Sequence, residues 1–329
     1  MNGRRDLLIL LGVAAAAPRA VLAQAKPPAD RIWRIGFLSS ASASSYAYRV
    51  EALRAGLRDL GYVEGRNIAI EFRWAEGNYE RLHEFAAELV RLKVDIILTH
   101  GTPGAQAARK ATATIPIIVS AISDPVATGL VASLRRPGGN LTGLMFFTQE
   151  LNEKRLELVK EVFPKARRVA ILANPENESM KPIIPALESA AKVLRLEFRR
   201  FDVRRPAEFG EAFSAMAAWR AEAIVPIEDA MLLANDRELV DQAVRRNIPI
   251  IGWNQIAEKG GLLAYGVDFV DISRRSASYV DRILKGANAG ELPVDRSTKY
   301  EMVINMKTAR TLGITLPQAV LVRADRVIE

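Results

Sequence analysis

The chain contains no cysteine and only two histidines, His83 and His100, among its 329 residues. The first absence rules out disulfides, a lipid-attachment cysteine and a cysteine nucleophile, and the two together leave too few soft ligands for a His/Cys metal cluster. A G-x-S-x-G elbow is missing, and so is a G-x-G-x-x-G fingerprint after the first strand. A serine hydrolase or a dinucleotide enzyme would therefore have to be built atypically. No apolar stretch reaches the ~20 residues that a helix needs to span a bilayer; the run Leu7 to Ala17 has 11. Stability must come from burial. Binding, with no cofactor and no metal, accounts for these absences better than turnover does.

What the N-terminus does have is the layout of an export signal. Arg4 and Arg5 give a basic start, an apolar run follows, and the small residues of Ala23-Gln24-Ala25 precede Lys26. Residues 1–25 are thus expected to be a signal peptide, cleaved near Ala25, with the mature protein in the periplasm. Asp6 follows the arginine pair directly, so both the general secretory and the twin-arginine routes stay open. Removing the signal takes the chain from 46 basic and 38 acidic residues to 43 and 37, and its net charge from +8 to +6. The basic residues are interspersed with acidic ones, which describes a solvated surface and no nucleic-acid footprint. His83 falls on the solvated face of a helical segment.

About 300 mature residues exceed one hydrophobic core and favour two domains. Short apolar runs (IWRIGFL, NIAIEFRW, DIILTH, PIIVSAI) alternate with segments whose apolar residues recur at helical spacing, such as YERLHEFAAELVRLK. Ile- and Val-rich strands alternating with helices read as a parallel sheet covered on both faces. After the turn cluster RRPGGN and the strand LTGLMFF, a second series of the same kind starts at RRVAILA. The expected fold is α/β, two doubly wound open-sheet lobes joined by hinge crossings, with the boundary near residue 147.

In such sheets ligands bind beyond the carboxyl ends of the strands, where helix N-termini present unpaired N–H groups. After the first strand these positions hold Ser39, Ser40 and Ser45, which suit either ligand contacts or a capped surface loop. The third strand ends in Thr99-His100-Gly101-Thr102-Pro103-Gly104, where Thr102 is placed to cap the next helix and the turn suits a carboxylate. After the fourth come Ser123 and Asp124, the latter read chiefly as a cap. In the second lobe Asn174 and Ser179 follow one strand, and Glu228-Asp229 follow another. Asp229 is either a helix cap or the partner of a ligand ammonium. Trp253-Asn254 would supply an aromatic wall and an amide, or plain packing.

Four stretches, taken as a set, carry a family resemblance: GLRDLGYVEGRNIAIEFRWAEG, ATIPIIVSAISDPVATGLVASLRRPGGNLTG, IPIIGWNQIAEKGGLLAYGVD and YVDRILKGANAGELPVDRSTKYEMVINMKTARTLGITLP. The chain resembles the ABC transporter substrate-binding proteins of the tryptophan/tyrosine-uptake type, over nearly all of the mature sequence. That resemblance implies the type I periplasmic binding-protein fold, with an N-terminal lobe of residues 30–146 plus about 268–290 and a C-terminal lobe of 147–267 plus about 291–329. It also implies a monomer that delivers an amino-acid-like solute to membrane permease and ATPase subunits. Thr102 with Pro103, Ser123-Asp124-Pro125, Ser179, Asp229 and the segment Gly266 to Asp268 would lie near the cleft, Asp229 and Thr102 serving opposite ends of the ligand. The serine-rich first loop and Glu228-Asp229-Ala230 depart from the amino-acid-binding pattern, which keeps other small carboxylates and amide-bearing metabolites open. A periplasmic sensor subunit feeding a membrane receptor would use the same fold.

Overall fold

The computed structural model describes residues 31–329, so the expected signal peptide lies outside the described residues. The first lobe opens with β1 (Trp33–Ser39), α1 (Ala43–Asp59), β2 (Ile68–Trp74), α2 (Glu80–Arg91), β3 (Ile96–Thr99), α3 (Gly101–Ala111), β4 (Ile117–Ile122) and β5 (Leu141–Met145). The chain crosses through α4 (Thr148–Val162) to β6 (Arg168–Ala173), α5 (Met180–Val193), β7 (Glu197–Asp202), α6 (Phe209–Ala218) and β8 (Ala223–Pro226). There follow α7 (Ala230–Ala234), α8 (Asp236–Arg245), β9 (Ile251–Gly252), α9 (Asn254–Glu258) and β10 (Leu263–Val267). It returns as α10 (Phe269–Leu284) and β11 (Asp295–Arg296), then crosses again to β12 (Tyr300–Asn305), α11 (Met306–Thr311), α12 (Gln318–Leu321) and β13 (Arg326–Ile328).

The first sheet is six-stranded in the order β11-β5-β4-β3-β1-β2, and all its pairings are parallel. Strands β4 and β5 are buried at every residue, which is why they read as largely apolar runs, with Ser120 and Thr142 the polar members. In the second lobe β7-β6-β8 and β13-β12-β10-β9 form two ladders, joined by a parallel bridge between Ile224 and Ile250. Both lobes therefore share one winding, second strand beside first, then third, fourth and fifth. Each has a topological switch point beside its first strand, and the two switch points face each other across the cleft. Among the described residues no helix is long and apolar enough to cross a membrane.

Three passages of chain connect the lobes, and the start of the third comes from sequence that gave little warning. Asp295–Arg296 pairs with Leu144–Met145 at the edge of the first sheet, although residues from 291 onward were expected in the second lobe. A two-residue exposed strand has no apolar run of its own to betray it. Helix α10 packs along α1 and against β4. The two helices meet at Gly56, where a Cβ would stand 2.4 Å from the Arg274 carbonyl oxygen and 3.0 Å from the Ala277 Cβ.

Backbone cannot yield as a side-chain tip does, so Gly56→Ala should separate α1 from α10. Helix propensity alone would add about 1 kcal/mol of stability. A net loss of ~1–3 kcal/mol, the usual cost of overpacking, is expected in urea unfolding; a stabilised variant would show that the two helices do not approach this closely.

Candidate functional site

On the first-lobe side, β3 passes into α3 through His100 and Gly101. Gly101 has φ +70°, a left-handed conformation that favours glycine. The helix starts two residues earlier than the sequence suggests, so the cap position falls on His100 and not on Thr102, which sits inside the first turn instead of capping it. His100 does not cap either. Its Nε2 shares a 2.9 Å hydrogen bond with Ser39 Oγ, and its ring stacks on Tyr46 with centroids 4.3 Å apart. Burial, with the nearby positive charge of Arg49, lowers the His100 pKa to about 3 and keeps the ring neutral. The first-turn N–H groups of α3 are thus left without a side-chain cap.

Arg49 on α1 is the residue that sequence reasoning missed. It is 3% exposed. Its guanidinium carbon lies 4.9 Å from the Tyr46 ring centroid and 4.4 Å from that of Phe269, and its Nε donates to the Tyr48 hydroxyl at 2.9 Å. Tyr46, Val50, Leu53 and Leu57 form the buried stripe of the same helix. An arginine one turn from Tyr46 on that stripe was the available signal.

The second lobe supplies two neighbouring carboxylates after β8. Glu228 is paired to Arg155 at 2.5 Å with both side chains essentially sealed from solvent, at 1% and 0% exposure. Arg155 also donates to the Tyr265 carbonyl at 2.9 Å and to Asn152 Oδ1 at 3.0 Å, and Asn152 Nδ2 returns to Glu228 at 2.8 Å. Asp229 caps α7, with Oδ1 accepting from the backbone N–H of Met231 at 2.9 Å and of Leu232 at 3.3 Å. Side-chain amides of Asn174, at 3.3 Å, and Asn177, at 2.9 Å, add to it. The Tyr79 hydroxyl reaches over from the first lobe and donates to Oδ2 at 2.6 Å. Burial pushes Asp229 upward while these donors pull it back, and burial beside Asp229 holds the Tyr79 hydroxyl well above its ordinary value.

Between these walls lies a narrow cavity of ≈ 30 Å³. Arg49, His100, Gly101, Thr102, Ser123 and Phe146 face it from the first lobe, with Phe269 at the start of α10. Asn177, Ser179, Glu228, Asp229, Ala230 and Leu233 face it from the second. Of the expected site residues, Thr102, Ser123, Ser179 and Asp229 are brought together here. Ser39 supports His100 from beneath, Thr99 donates to the Leu38 carbonyl at 2.8 Å, and Pro103 and Ser40 are buried away from the cavity. Ser45 bonds Ser42, the cap of α1.

As the sequence favoured, Asp124 caps the turn that follows it, accepting from Val126 at 3.0 Å and Ala127 at 2.9 Å. Three expectations need correction. Asn174 is spent on Asp229 and on its own turn, where it accepts from the Glu176 N–H at 3.0 Å. Trp253 is fully buried in the apolar core, because the large ring fills space behind β9 instead of walling the cleft. Asp268 caps α10 at the hinge, accepting from Val270 and Asp271. As for Asp229, five protein donors already occupy a carboxylate with about four lone-pair sites. An ammonium would find it filled, whereas each Glu228 oxygen carries one protein donor.

Comparison with known proteins bears on this geometry. A family model described as "ABC transporter substrate binding protein" matches residues 35–328. A curated relative from Clostridioides difficile (strain R20291), described as a tyrosine-binding protein, is 32% identical over 260 residues, 78% of this chain and 74% of the relative. The crystal structure of an ABC domain from Streptococcus pneumonia in complex with L-Trp superposes with a TM-score of 0.83 at 28% identity, covering 90% of this chain and 100% of that one. The ligand-free, open structure of a substrate-binding protein with adhesive properties from Clostridium difficile is 26% identical, covers 90% and 99%, and superposes at only 0.63. The present structure thus superposes better on the L-Trp complex than on the open form.

Two outcomes follow from the site. Tyr79→Phe removes a charge-assisted hydrogen bond between the lobes, worth ~1.5–3 kcal/mol, so solution scattering of the unliganded variant should show a larger radius of gyration than wild type; equal radii would mean that the bond does not hold the lobes. His100, lowered from 6.5 to about 3, takes up its proton in the unfolded chain first. Its contribution is whole above pH 6.5 and is lost as pH falls towards 3, at up to about 1.4 kcal/mol per pH unit. Denaturant titrations at pH 7 and pH 4 should show a smaller acid loss in His100→Gln than in wild type.

Proposed function

This chain belongs to the ABC transporter substrate-binding protein family, and from that premise we propose that it is the periplasmic capture subunit of an ABC importer, closing on an amino-acid-like solute. The observation that supports this most directly is the polarity of the interlobe cavity. Its first-lobe wall carries Arg49 and the uncapped start of α3, and its second-lobe wall carries Glu228 beside Asp229. That is the polarity of an α-amino acid, with acceptors at one end and donors at the other. The named ligands of the relatives, tyrosine and L-Trp, agree with it.

Each lobe offers only half of these partners. Ligand held on one lobe gains its remaining contacts when the other arrives, so binding shifts the population towards the closed arrangement without any chemical step. Delivery would then follow by docking of the closed form on permease and ATPase subunits. The export signal, cut near Ala25, would place the protein outside the cytoplasm.

Aromatic and aliphatic amino acids should raise the melting temperature of the purified protein, a solute at 100 times its Kd adding about 2.7 kcal/mol. Scattering should show compaction on the same titration. No response to any amino acid by either measurement would remove the amino-acid reading.

A further inference from the structure

A guanidinium taken out of water needs a counter-charge or a full set of acceptors. Arg49 has neither among the described residues. From α1 it is faced by Tyr46 and Tyr48, from α10 by the ring of Phe269, and from the start of α3 by a His100 that is itself uncharged. No carboxylate of the described residues lies in ion-pair contact with it, and Tyr48 is the acceptor of its Nε. Glu228 and Asp229 face the same cavity, but the first is bound to Arg155 and the second is filled by its own donors.

The aromatic rings cover the faces of the guanidinium, and the tyrosine hydroxyls serve only part of its N–H edge, Tyr48 accepting from Nε. Arg49 lines the cavity together with Gly101 and Thr102. There the uncapped first turn of the 11-residue α3 adds its own N–H groups and the positive end of its dipole. Two independent donors of positive potential therefore line the first-lobe corner of the cavity. A planar fork of N–H groups at such a corner matches a carboxylate in bidentate fashion.

We propose that Arg49 anchors the carboxylate of the captured solute, with the α3 N-terminus as its second donor. The site's ligand class is then small organic acids, amino acids among them, and neutral sugars and amines lacking an acid group are excluded. This deepens the solute-capture reading and rests on it.

Three matched compounds separate the groups: L-tyrosine, tyramine without the carboxylate, and 3-(4-hydroxyphenyl)propionate without the amine. Calorimetry on wild type should find tyramine roughly 10- to 100-fold weaker than tyrosine, the scale of lost charge-assisted hydrogen bonds. Arg49→Gln should weaken both acids by a similar factor while leaving tyramine unchanged, and Arg49→Lys, which keeps the charge and loses the fork, should fall between. Circular dichroism checks that each variant folds. Formate, the minimal carboxylate, gives an arm that needs no variant and no knowledge of the solute. Its three heavy atoms limit it to a Kd of ~1 mM or weaker. The Arg49 Nε–H resonance, assigned through its contacts to the Tyr46 and Phe269 rings, should shift saturably during a formate titration. Tyramine binding as tightly as tyrosine, unchanged acid affinity in a folded Arg49→Gln, or an Arg49 signal indifferent to formate would each overturn the assignment. A saturable formate shift with no response to tyrosine or the propionate would instead retire the aromatic amino-acid reading and leave the anchor standing.

Discussion

Two adjacent carboxylates, Glu228 and Asp229, are buried at the carboxyl end of β8, and the cleft is organised by what it takes to keep them there. Neighbouring charges in a poorly solvated site repel and are each costly to desolvate. They are reconciled by separate partners. Glu228 takes a cation, Arg155, from the first helix after the chain enters the lobe, and Arg155 in turn grips the Tyr265 carbonyl on β10. Asp229 takes neutral and backbone donors from the turn after β6 and from the start of α7. Breaking a buried pair by deleting one member typically costs 3–5 kcal/mol, so these residues hold α4, β8 and β10 in register whatever else they do. Glu228 nonetheless keeps acceptor capacity towards the cavity.

The same arrangement couples the lobes. Tyr79 gives its proton to Asp229, and its oxygen accepts from the Met231 N–H at 3.3 Å, so one phenol reads both the cap and the helix start that the cap serves. The loop ahead of Tyr79 follows it across: a Cβ on Gly77 would come within 3.6 Å of Met231. Closure is therefore supported at the cleft mouth by protein contacts and inside it by whatever the cavity holds. A population of closed molecules before ligand arrives raises affinity, because less of the binding free energy goes into moving the lobes.

Most of the architecture was legible because parallel strands buried on both faces are predominantly apolar, as β4 and β5 are apart from Ser120 and Thr142. The duplicated winding showed in the restart at Arg168, since each strand-helix unit repeats the change from apolar run to helical spacing. The site was less legible. Asp229 stood out as an acidic residue after a strand, and both readings of it, cap and cleft residue, describe real contacts. Thr102 was taken for a cap because threonine prefers that place, but the left-handed Gly101 moved the helix start. Trp253 and Asp268 lie at strand ends as expected, yet strand-end position does not say which way a side chain turns. Arg49 was lost in an ordinary amphipathic helix, where one arginine among several carries no mark until the buried face is known.

The left-handed glycine has one more role. With the lobes as they stand, a Cβ at Gly101 would be 3.7 Å from the Cβ of Ala230, the residue immediately after the two carboxylates. Backbone from one lobe and a single methyl from the other thus stand about one methyl group short of van der Waals contact. This pair behaves as a mechanical stop, setting how narrow the gap between the walls becomes at full closure. Its thickness is fixed by two of the smallest side chains available. A bulkier residue at either place would act as a spacer, leaving the walls' chemistry untouched while changing the length of solute they can grip.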